Sequence, residues 1–142
     1  MRFKKVRDVQ SPTRAHEHDA GIDFFVPYDF APEELEPTCR INVPSGIKVE
    51  VPKGYALIAF NKSGVATRTG LVAGACVVDS GYEGEVHLSL INTSCDDVLI
   101  EPGQKILQFI LMPVGLEMLE ESETLFDVSH SDRGSSGFGS TG

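Results

Sequence analysis

Residues 75–90 read ACVVDSGYEGEVHLSL, and this stretch decides the fold class. An apolar run ends at Asp79, a polar turn follows, and from Val86 to Leu90 apolar residues occupy every second position. Because successive side chains of a β-strand point to opposite faces, this period of two is typical of a half-buried strand. The stretch therefore predicts two strands joined as a hairpin, with residues 79–85 at its tip.

Further strands are predicted on both sides of this hairpin. Residues 47–51 alternate in the same way, and the denser apolar runs at 55–60 and 106–112 predict strands buried on both faces. Turns rich in Pro and Gly separate these segments at intervals of about eight to twelve residues, a spacing typical of sandwiches and barrels. The sequence thus predicts an all-β fold.

A single short helix is predicted from about Ser63 to Thr69, with Asn61 or Ser63 as its N-cap. The acidic stretches Glu33–Glu36 and Glu120–Glu123 predict solvated loops. No repeat or linker divides the 142 residues, so we expect one domain with a substantial core.

Charge and cysteine content limit the possible functions. A formal net charge of −9 argues against nucleic acid or an anionic membrane as a partner, since such binders carry a basic face. The odd set Cys39, Cys76 and Cys95 contains no CxxC pair and predicts reduced thiols that act as small hydrophobes, so we expect a cytoplasmic chain. The start at Met1–Lys5 is not followed by a signal-peptide core, and no apolar run approaches membrane length.

Four internal segments carry candidate chemistry. Asp79 follows an apolar run, where partial burial would suit its carboxylate to act as a base. Asn61–Gly64 places a cation, a hydroxyl and a glycine at the predicted helix start, which fits either a phosphate site or an ordinary cap. Asp23 is more simply a turn cap, and Lys105 more simply a solvent-facing lysine at a strand edge. The pair His16 and His18 has no further ligands nearby in sequence, so a solvated loop is favoured over a metal site.

The last ten residues, Arg133–Gly142, read RGSSGFGSTG. Glycine loses the most backbone entropy on ordering, so we expect a mobile tail. The tail also offers a bidentate cation at Arg133, small hydroxyl donors and the aromatic ring of Phe138, which together suit phosphates and a nucleobase.

Taken together, five segments resemble the motifs of the trimeric dUTPase family, in the family's order: Ala20–Asp23, Lys62–Gly64, Gly74–Glu85, Gly103–Gln108 and Arg133–Gly142. This resemblance implies a jelly-roll-like β fold (a β-clip) in a homotrimer with shared active sites at subunit interfaces. Residues 1–132 would form the β domain, and residues 133–142 would be a flexible arm that closes over the site. The implied reaction is Mg²⁺-assisted hydrolysis of dUTP to dUMP and pyrophosphate, which limits uracil in DNA and supplies dUMP for dTMP synthesis.

The resemblance also implies a role for each matching residue. Asp79 would activate the water that attacks the α-phosphorus, and Tyr82 would stack under the deoxyribose. Asp23 would orient waters around a metal that the triphosphate holds, with no direct protein ligand. The remaining implied contacts are Cys76 in the uracil pocket, Phe138 over the uracil, Lys62, Ser63, Gly64 and Gln108 on phosphate oxygens, and Arg133, Gly139, Ser140 and Thr141 from the tail.

Some residues depart from the family pattern, and two rival functions remain open. Lys62 and Lys105 stand where the family usually has Arg, so bidentate contacts become point charges. Cys76 replaces a common Gly, and its side chain would either narrow the pocket or turn outward. The dCTP deaminases share the fold and would release ammonia instead of pyrophosphate. A regulatory binding module is the other rival, with Tyr28–Arg40 as its expected surface.

Overall fold

Short strands make up nearly all the regular structure of residues 1–125, the part of the chain that the computed structural model describes. This range contains eleven strands and one helix: β1 (Arg2–Lys5), β2 (Ile22–Phe25), β3 (Glu33–Leu35), β4 (Arg40–Pro44), β5 (Ile47–Glu50), β6 (Tyr55–Asn61), α1 (Ser63–Thr69), β7 (Leu71–Ala73), β8 (Val77–Asp79), β9 (His87–Asn92), β10 (Val98–Ile100) and β11 (Lys105–Pro113). Every pairing between these strands is antiparallel. The predicted all-β class with one short helix is confirmed.

The longest strand, β11, lies inside a four-stranded sheet of order β2-β11-β6-β8. One face of this sheet forms the core, where the rings of Phe24 and Phe109 pack with their centroids 4.5 Å apart. Leu57 and Leu107 lie on the same face and are at most 1% exposed. The two apolar runs therefore form the buried centre of the fold, but the prediction that both of their faces are buried is only partly right, because Tyr55, Phe60 and Met112 are exposed.

The remaining strands form a three-stranded sheet, β4-β9-β7, and the two-stranded pairs β1-β5 and β10-β3. Along β5 the predicted alternation is confirmed, because Ile47 and Val49 are buried whereas Lys48 and Glu50 are exposed. Along β9 the pattern is less simple, because Ser89 is buried between Leu88 and Leu90. The centre of β9 is thus covered on both faces.

The predicted hairpin over residues 75–90 is wrong. Its two strands form, but they belong to different sheets. Strand β8 pairs with β6 in the four-stranded sheet, whereas β9 pairs with β4 and β7 in the three-stranded sheet. Between them, the Val86 N–H donates to the carbonyl of Ile47, and the Val86 carbonyl accepts the N–H of Ser45. Residues 80–86 therefore cross from one sheet to the other. The period-two pattern gave the strands but carried no information about their partners.

Two local predictions also need correction. The acidic stretch Glu33–Glu36 is largely strand β3, which pairs with β10 and buries Leu35. Helix α1 has the predicted bounds, yet its N-cap is Lys62, with no side-chain cap hydrogen bond. The candidate cap Asn61 is occupied elsewhere, because its Oδ1 accepts the N–H of Ala73 at 2.7 Å.

The cysteines agree only partly with the expectation that they act as small hydrophobes. All three lie within residues 1–125 as free thiols, but Cys39 and Cys95 are exposed. Cys76 is half-buried and packs against the core. Helix α1, with seven residues, is the one helix of the described range, and it is far too short to cross a membrane.

Candidate functional site

The first group of predicted site residues surrounds a buried carboxylate. Asp23 lies in β2 and is 3% exposed. Its backbone pairs with Gln108 of β11 on one side and exchanges two hydrogen bonds with Thr13 on the other. Lys62 donates to Asp23 Oδ1, and Lys105 Nζ lies 3.0 Å from Oδ2. Two ammonium groups on one carboxylate give the group a net charge of +1.

The Gln108 side chain is fixed beside this group. Its Nε2 donates to the carbonyl of Asn61 at 2.8 Å. A Cβ built on Gly21 would lie 2.8 Å from Gln108 Cδ and nearer still to Oε1, so only glycine permits this approach. The glycine of the first motif therefore has a steric role that the sequence alone did not reveal.

These residues line a cavity of about 390 Å³, which we call the cationic cavity. Its lining consists of Ala15, Asp19, Ala20, Gly21, Asp23, Lys62, Gln108 and Ile110. An ammonium group carries three N–H donors, so Lys62 keeps donors free after bonding to Asp23. Ser63 and Gly64 follow Lys62 directly and are exposed. Lys62 gives the cavity a cationic end that suits an anion, although the carboxylates of Asp19 and Asp23 also line it.

The second group of predicted site residues lies at the end of β8. Asp79, Cys76 and Tyr82 share a cavity of about 250 Å³, which we call the Asp79 cavity. Its full lining is Ala75, Cys76, Val77, Val78, Asp79, Tyr82, Glu85, Val86, His87 and Phe109. Asp79 itself is exposed, so the partial burial predicted from the preceding apolar run is wrong for the single chain. Because β8 is an edge strand, nothing in residues 1–125 covers its last residue.

Tyr82 is held at both ends. Its N–H donates to the carbonyl of Asp79 at 3.1 Å, and its Oη donates to the carbonyl of Glu85 at 2.9 Å. The ring lies over Gly84, where an added Cβ would come within 2.9 Å of Cε2 and nearer still to Cζ. The Tyr82 ring is therefore presented as a fixed flat surface beside Asp79.

The side chain of Cys76, which directly precedes β8, turns back toward Gly74. Its Sγ donates to the carbonyl of Gly74 at 3.1 Å, and its own carbonyl accepts the N–H of Ala59 at 2.7 Å. The thiol remains part of the lining of the Asp79 cavity. The thiol therefore bends toward the backbone and still borders the Asp79 cavity.

The two groups lie at opposite edges of the four-stranded sheet. Asp23 of β2 pairs with Gln108 of β11, whereas Asp79 of β8 pairs with Ala56 of β6, which itself pairs with Met112 of β11. Three strand spacings across the sheet and four residues along it place the backbones of Asp23 and Asp79 roughly 20 Å apart within one chain. The predicted site residues are therefore brought together in two sets, not in one.

Five predicted site residues lie outside the described range, and one contact near the site was not predicted. Arg133, Phe138, Gly139, Ser140 and Thr141 fall beyond residue 125. The sequence analysis did not predict the contact between Arg7 and Glu85, whose side chains form an ion pair. No local sequence pattern could have indicated this contact, because 78 positions separate the two residues.

The side chains of residues 1–125 suit a metal ion that is carried by a bound phosphate compound better than a metal ion that is coordinated by the protein. No group of three or more His, Cys, Asp or Glu in this range could hold a metal ion. The Asp23 carboxylate already has two ammonium partners, although it still borders the cationic cavity. Mg²⁺ commonly keeps several waters and binds through substrate phosphates, a mode that these residues permit.

Comparison with known proteins identifies the family. The dUTPase family model matches residues 7–142. The deoxyuridine 5′-triphosphate nucleotidohydrolase of Mycolicibacterium vanbaalenii is 38% identical over 141 residues, covering 96% of this chain and 90% of that protein. The enzyme of the same name from Mycobacterium sp. strain JLS is 39% identical over 142 residues, with the same coverage.

The structure agrees with this assignment. The dUTPase of Staphylococcus bacteriophage 80alpha, solved with dUpNHpp, superposes with a TM-score of 0.88 at 26% sequence identity. The match covers 99% of this chain and 97% of the phage chain. The fold is the jelly-roll-like fold of the dUTPases, as the sequence motifs predicted. The chain belongs to the dUTPase family.

Proposed function

We propose that this chain, a dUTP diphosphatase by family, cleaves dUTP through in-line attack of water on the α-phosphorus, with Asp79 as the base. The Asp79 carboxylate accepts a proton as the water oxygen bonds to phosphorus. The bond from the α-phosphorus to the bridging oxygen breaks, and pyrophosphate leaves with that oxygen, which yields dUMP. The observation that carries this proposal is the cavity in which the accessible Asp79 carboxylate and the fixed Tyr82 ring lie side by side.

The Asp79 cavity would receive the nucleoside. A flat ring whose hydroxyl and backbone N–H are both hydrogen-bonded suits contact with a deoxyribose, and its fixed position would leave no space for a ribose 2′-hydroxyl. Cys76 would border the uracil, with its thiol bent toward Gly74. The phage dUTPase with the same fold binds dUpNHpp, an analogue of the proposed substrate.

The cationic cavity would receive the phosphates. Lys62 and Gln108 line it, and the exposed Ser63 and Gly64 follow Lys62 in the chain. Phosphoryl transfer depends on positioning and charge neutralisation more than on covalent chemistry by the protein. A chain with a formal net charge of −9 can provide this by concentrating a few cations on one anion.

Mg²⁺ is the proposed cofactor, carried by the triphosphate. When bound there it would neutralise part of the phosphate charge and hold the phosphates in one geometry. Asp23 borders the cationic cavity, so its carboxylate would also accept hydrogen bonds from water around the metal. No direct protein ligand is proposed.

We further propose a homotrimer in which different subunits complete each site. A substrate that reached both cavities of the same chain would have to span the width of the four-stranded sheet, roughly 20 Å from Asp23 to Asp79. A symmetric assembly that sets the cationic cavity of one subunit against the Asp79 cavity of another removes this difficulty. The tail residues Arg133, Phe138, Gly139, Ser140 and Thr141 would then close over the bound nucleotide.

The proposed place of the reaction follows from its chemistry. Hydrolysis of dUTP in the cytoplasm would keep uracil out of DNA and would supply dUMP for dTMP synthesis. The substrate is a free nucleotide, and the net negative charge argues against nucleic acid and anionic membranes as partners.

The test is pyrophosphate release measured with Mg²⁺ across dUTP, dTTP, dCTP and UTP, with ammonia measured in parallel. We expect pyrophosphate from dUTP alone at low enzyme concentration and no ammonia from dCTP. Ammonia release from dCTP would instead support the dCTP deaminase alternative. A protein that bound dUTP but released neither product would support the regulatory alternative. The segment proposed for that role, Tyr28–Arg40, already contributes strand β3 and the buried Leu35 to the domain.

A further inference from the structure

Glu85 joins three segments that are distant in sequence. Its side chain is 18% exposed, and one carboxylate oxygen accepts hydrogen bonds from Arg7 Nε at 2.9 Å and from the Gly46 N–H at 2.6 Å. Arg7 follows β1, and Gly46 lies in the turn between β4 and β5. The hydrogen bond and the charge of Glu85 raise the pKa of Arg7 above its ordinary value. The carboxylate is therefore anchored to two separate parts of the fold.

The backbone of the same residue holds Tyr82. The Glu85 carbonyl accepts the Tyr82 hydroxyl at 2.9 Å, and His87 Nδ1 lies 3.0 Å from the same carbonyl oxygen. The ring rests on Gly84, and the Tyr82 N–H donates to the carbonyl of Asp79. The tilt of the Tyr82 ring therefore depends on where the Glu85 carbonyl lies.

We propose that Glu85 is a positioning residue that sets the preference for deoxyribose over ribose. Its carboxylate, anchored to Arg7 and Gly46, fixes the carbonyl that holds Tyr82 flat beside Asp79. With this anchor lost, the ring can tilt away and leave space for a 2′-hydroxyl. The inference rests on the proposed function, in which Tyr82 lies under the deoxyribose.

Two variants of Glu85 test whether its anchored carboxylate sets the preference for deoxyribose. Glu85→Ala removes the anchor, whereas Glu85→Gln keeps an oxygen that can accept the Gly46 N–H. We expect Glu85→Ala to lower the ratio of kcat/KM for dUTP to that for UTP by about threefold to tenfold, the effect of one net hydrogen bond, and Glu85→Gln to restore most of it. Tyr82→Phe should lower the ratio similarly. Asp29→Asn is the matched control, because it removes the other carboxylate near Arg7, 3.7 Å away, and leaves Glu85 in place.

The double variant gives a sharper test. If Glu85 acts through the Tyr82 hydroxyl, Glu85→Ala combined with Tyr82→Phe should change the ratio no more than the larger single change. An unchanged ratio in Glu85→Ala, with or without a loss of stability, would show that Glu85 is merely structural. If Glu85→Ala does not fold, Arg7→Met, which removes the cationic partner of Glu85, is combined with Tyr82→Phe instead, and full additivity of the two changes in the ratio overturns the inference.

Hydrogen exchange separates this inference from the proposed function. Amides of residues 80–84 should exchange faster in Glu85→Ala than in the wild type, with or without turnover. Unchanged exchange there would contradict the anchor. Absence of pyrophosphate release from dUTP by the wild type would instead overturn the proposed function.

Discussion

At the scale of single residues, Asp79 carries the chemical step. Asp79→Asn keeps the shape of the side chain but removes the base that accepts the proton from water. We expect kcat to fall by about 10²–10⁴-fold, the usual contribution of a positioned base, while dUpNHpp still binds. Steady-state kinetics and calorimetric titration of dUpNHpp measure the two effects. Glu83→Gln, which neutralises another exposed carboxylate of the same loop, should have little effect. A near-normal kcat in Asp79→Asn would exclude Asp79 as the base.

Asp23 has a different task, since it is buried between two ammonium groups. Asp23→Asn leaves Lys62 and Lys105 close together without a counter-charge. Removal of one partner from a buried ion pair costs about 3–5 kcal/mol, and the partial exposure of both lysines reduces this here to roughly 1–3 kcal/mol. Urea denaturation should show this loss, and KM for dUTP should rise because Lys62 is no longer held at the cavity. Unchanged stability together with unchanged KM would contradict the role of Asp23.

The sequence identified several of these residues by pattern but not their surroundings. Asp79 and Tyr82 stand out because their spacing matches a known motif. The exposure of Asp79 could not be predicted, because it depends on β8 being an edge strand. The contact of Glu85 with Arg7 could not be predicted either, since nothing local in the sequence links residues 78 positions apart.

At the scale of elements, strand positions followed from local sequence, whereas strand partners did not. A period of two located β5 and most of β9, and a cap-like segment located α1 with its correct bounds. The same local reasoning joined β8 to β9, although the two strands belong to different sheets. Partner choice depends on how apolar faces pack across the whole chain, which periodicity does not report.

The tail is the element whose removal should separate catalysis from stability. Residues 134–142 contain one large apolar side chain, Phe138, so their sequence offers little burial to the core. Deletion of 134–142 should lower kcat/KM strongly and leave Tm nearly unchanged, because the tail is proposed to add contacts only over bound substrate. Phe138→Ala alone should act in the same direction.

The tail prediction has two independent checks. Kinetic assays of the truncated protein measure the expected loss of kcat/KM, and thermal unfolding measures its Tm. Proteolysis of the tail should slow when dUpNHpp and Mg²⁺ are present, because the ligand stabilises the closed arrangement. Wild-type kcat/KM after truncation would contradict the proposed closure, and unfolding on truncation would show that the tail belongs to the core instead.

At the scale of the whole molecule, the separation of the two cavities determines what assembly is required. Asp23 and Asp79 lie on the two edge strands of the four-stranded sheet, roughly 20 Å apart, so one chain does not bring the two cavities together around one small ligand. We therefore expect light scattering to give about three times the 15.4 kDa mass of one chain at assay concentration. A fully active monomer would contradict the shared site.

Complementation between inactive subunits tests this shared site most directly. Asp79→Asn inactivates one cavity and Lys62→Met the other, so neither parent protein should turn over dUTP at an appreciable rate. The two variants are co-expressed with different tags, and mixed trimers are isolated by sequential purification on both tags.

If each site takes its two cavities from different subunits, the doubly purified trimers should recover about a third of the wild-type kcat, because any trimer that contains both variants has one site in which both cavities are intact. Pyrophosphate release from dUTP by the doubly purified trimers is the deciding measurement. Recovery near this level is the predicted result. Activity no higher than that of the two parents would show that each site lies within a single chain and would contradict the shared site.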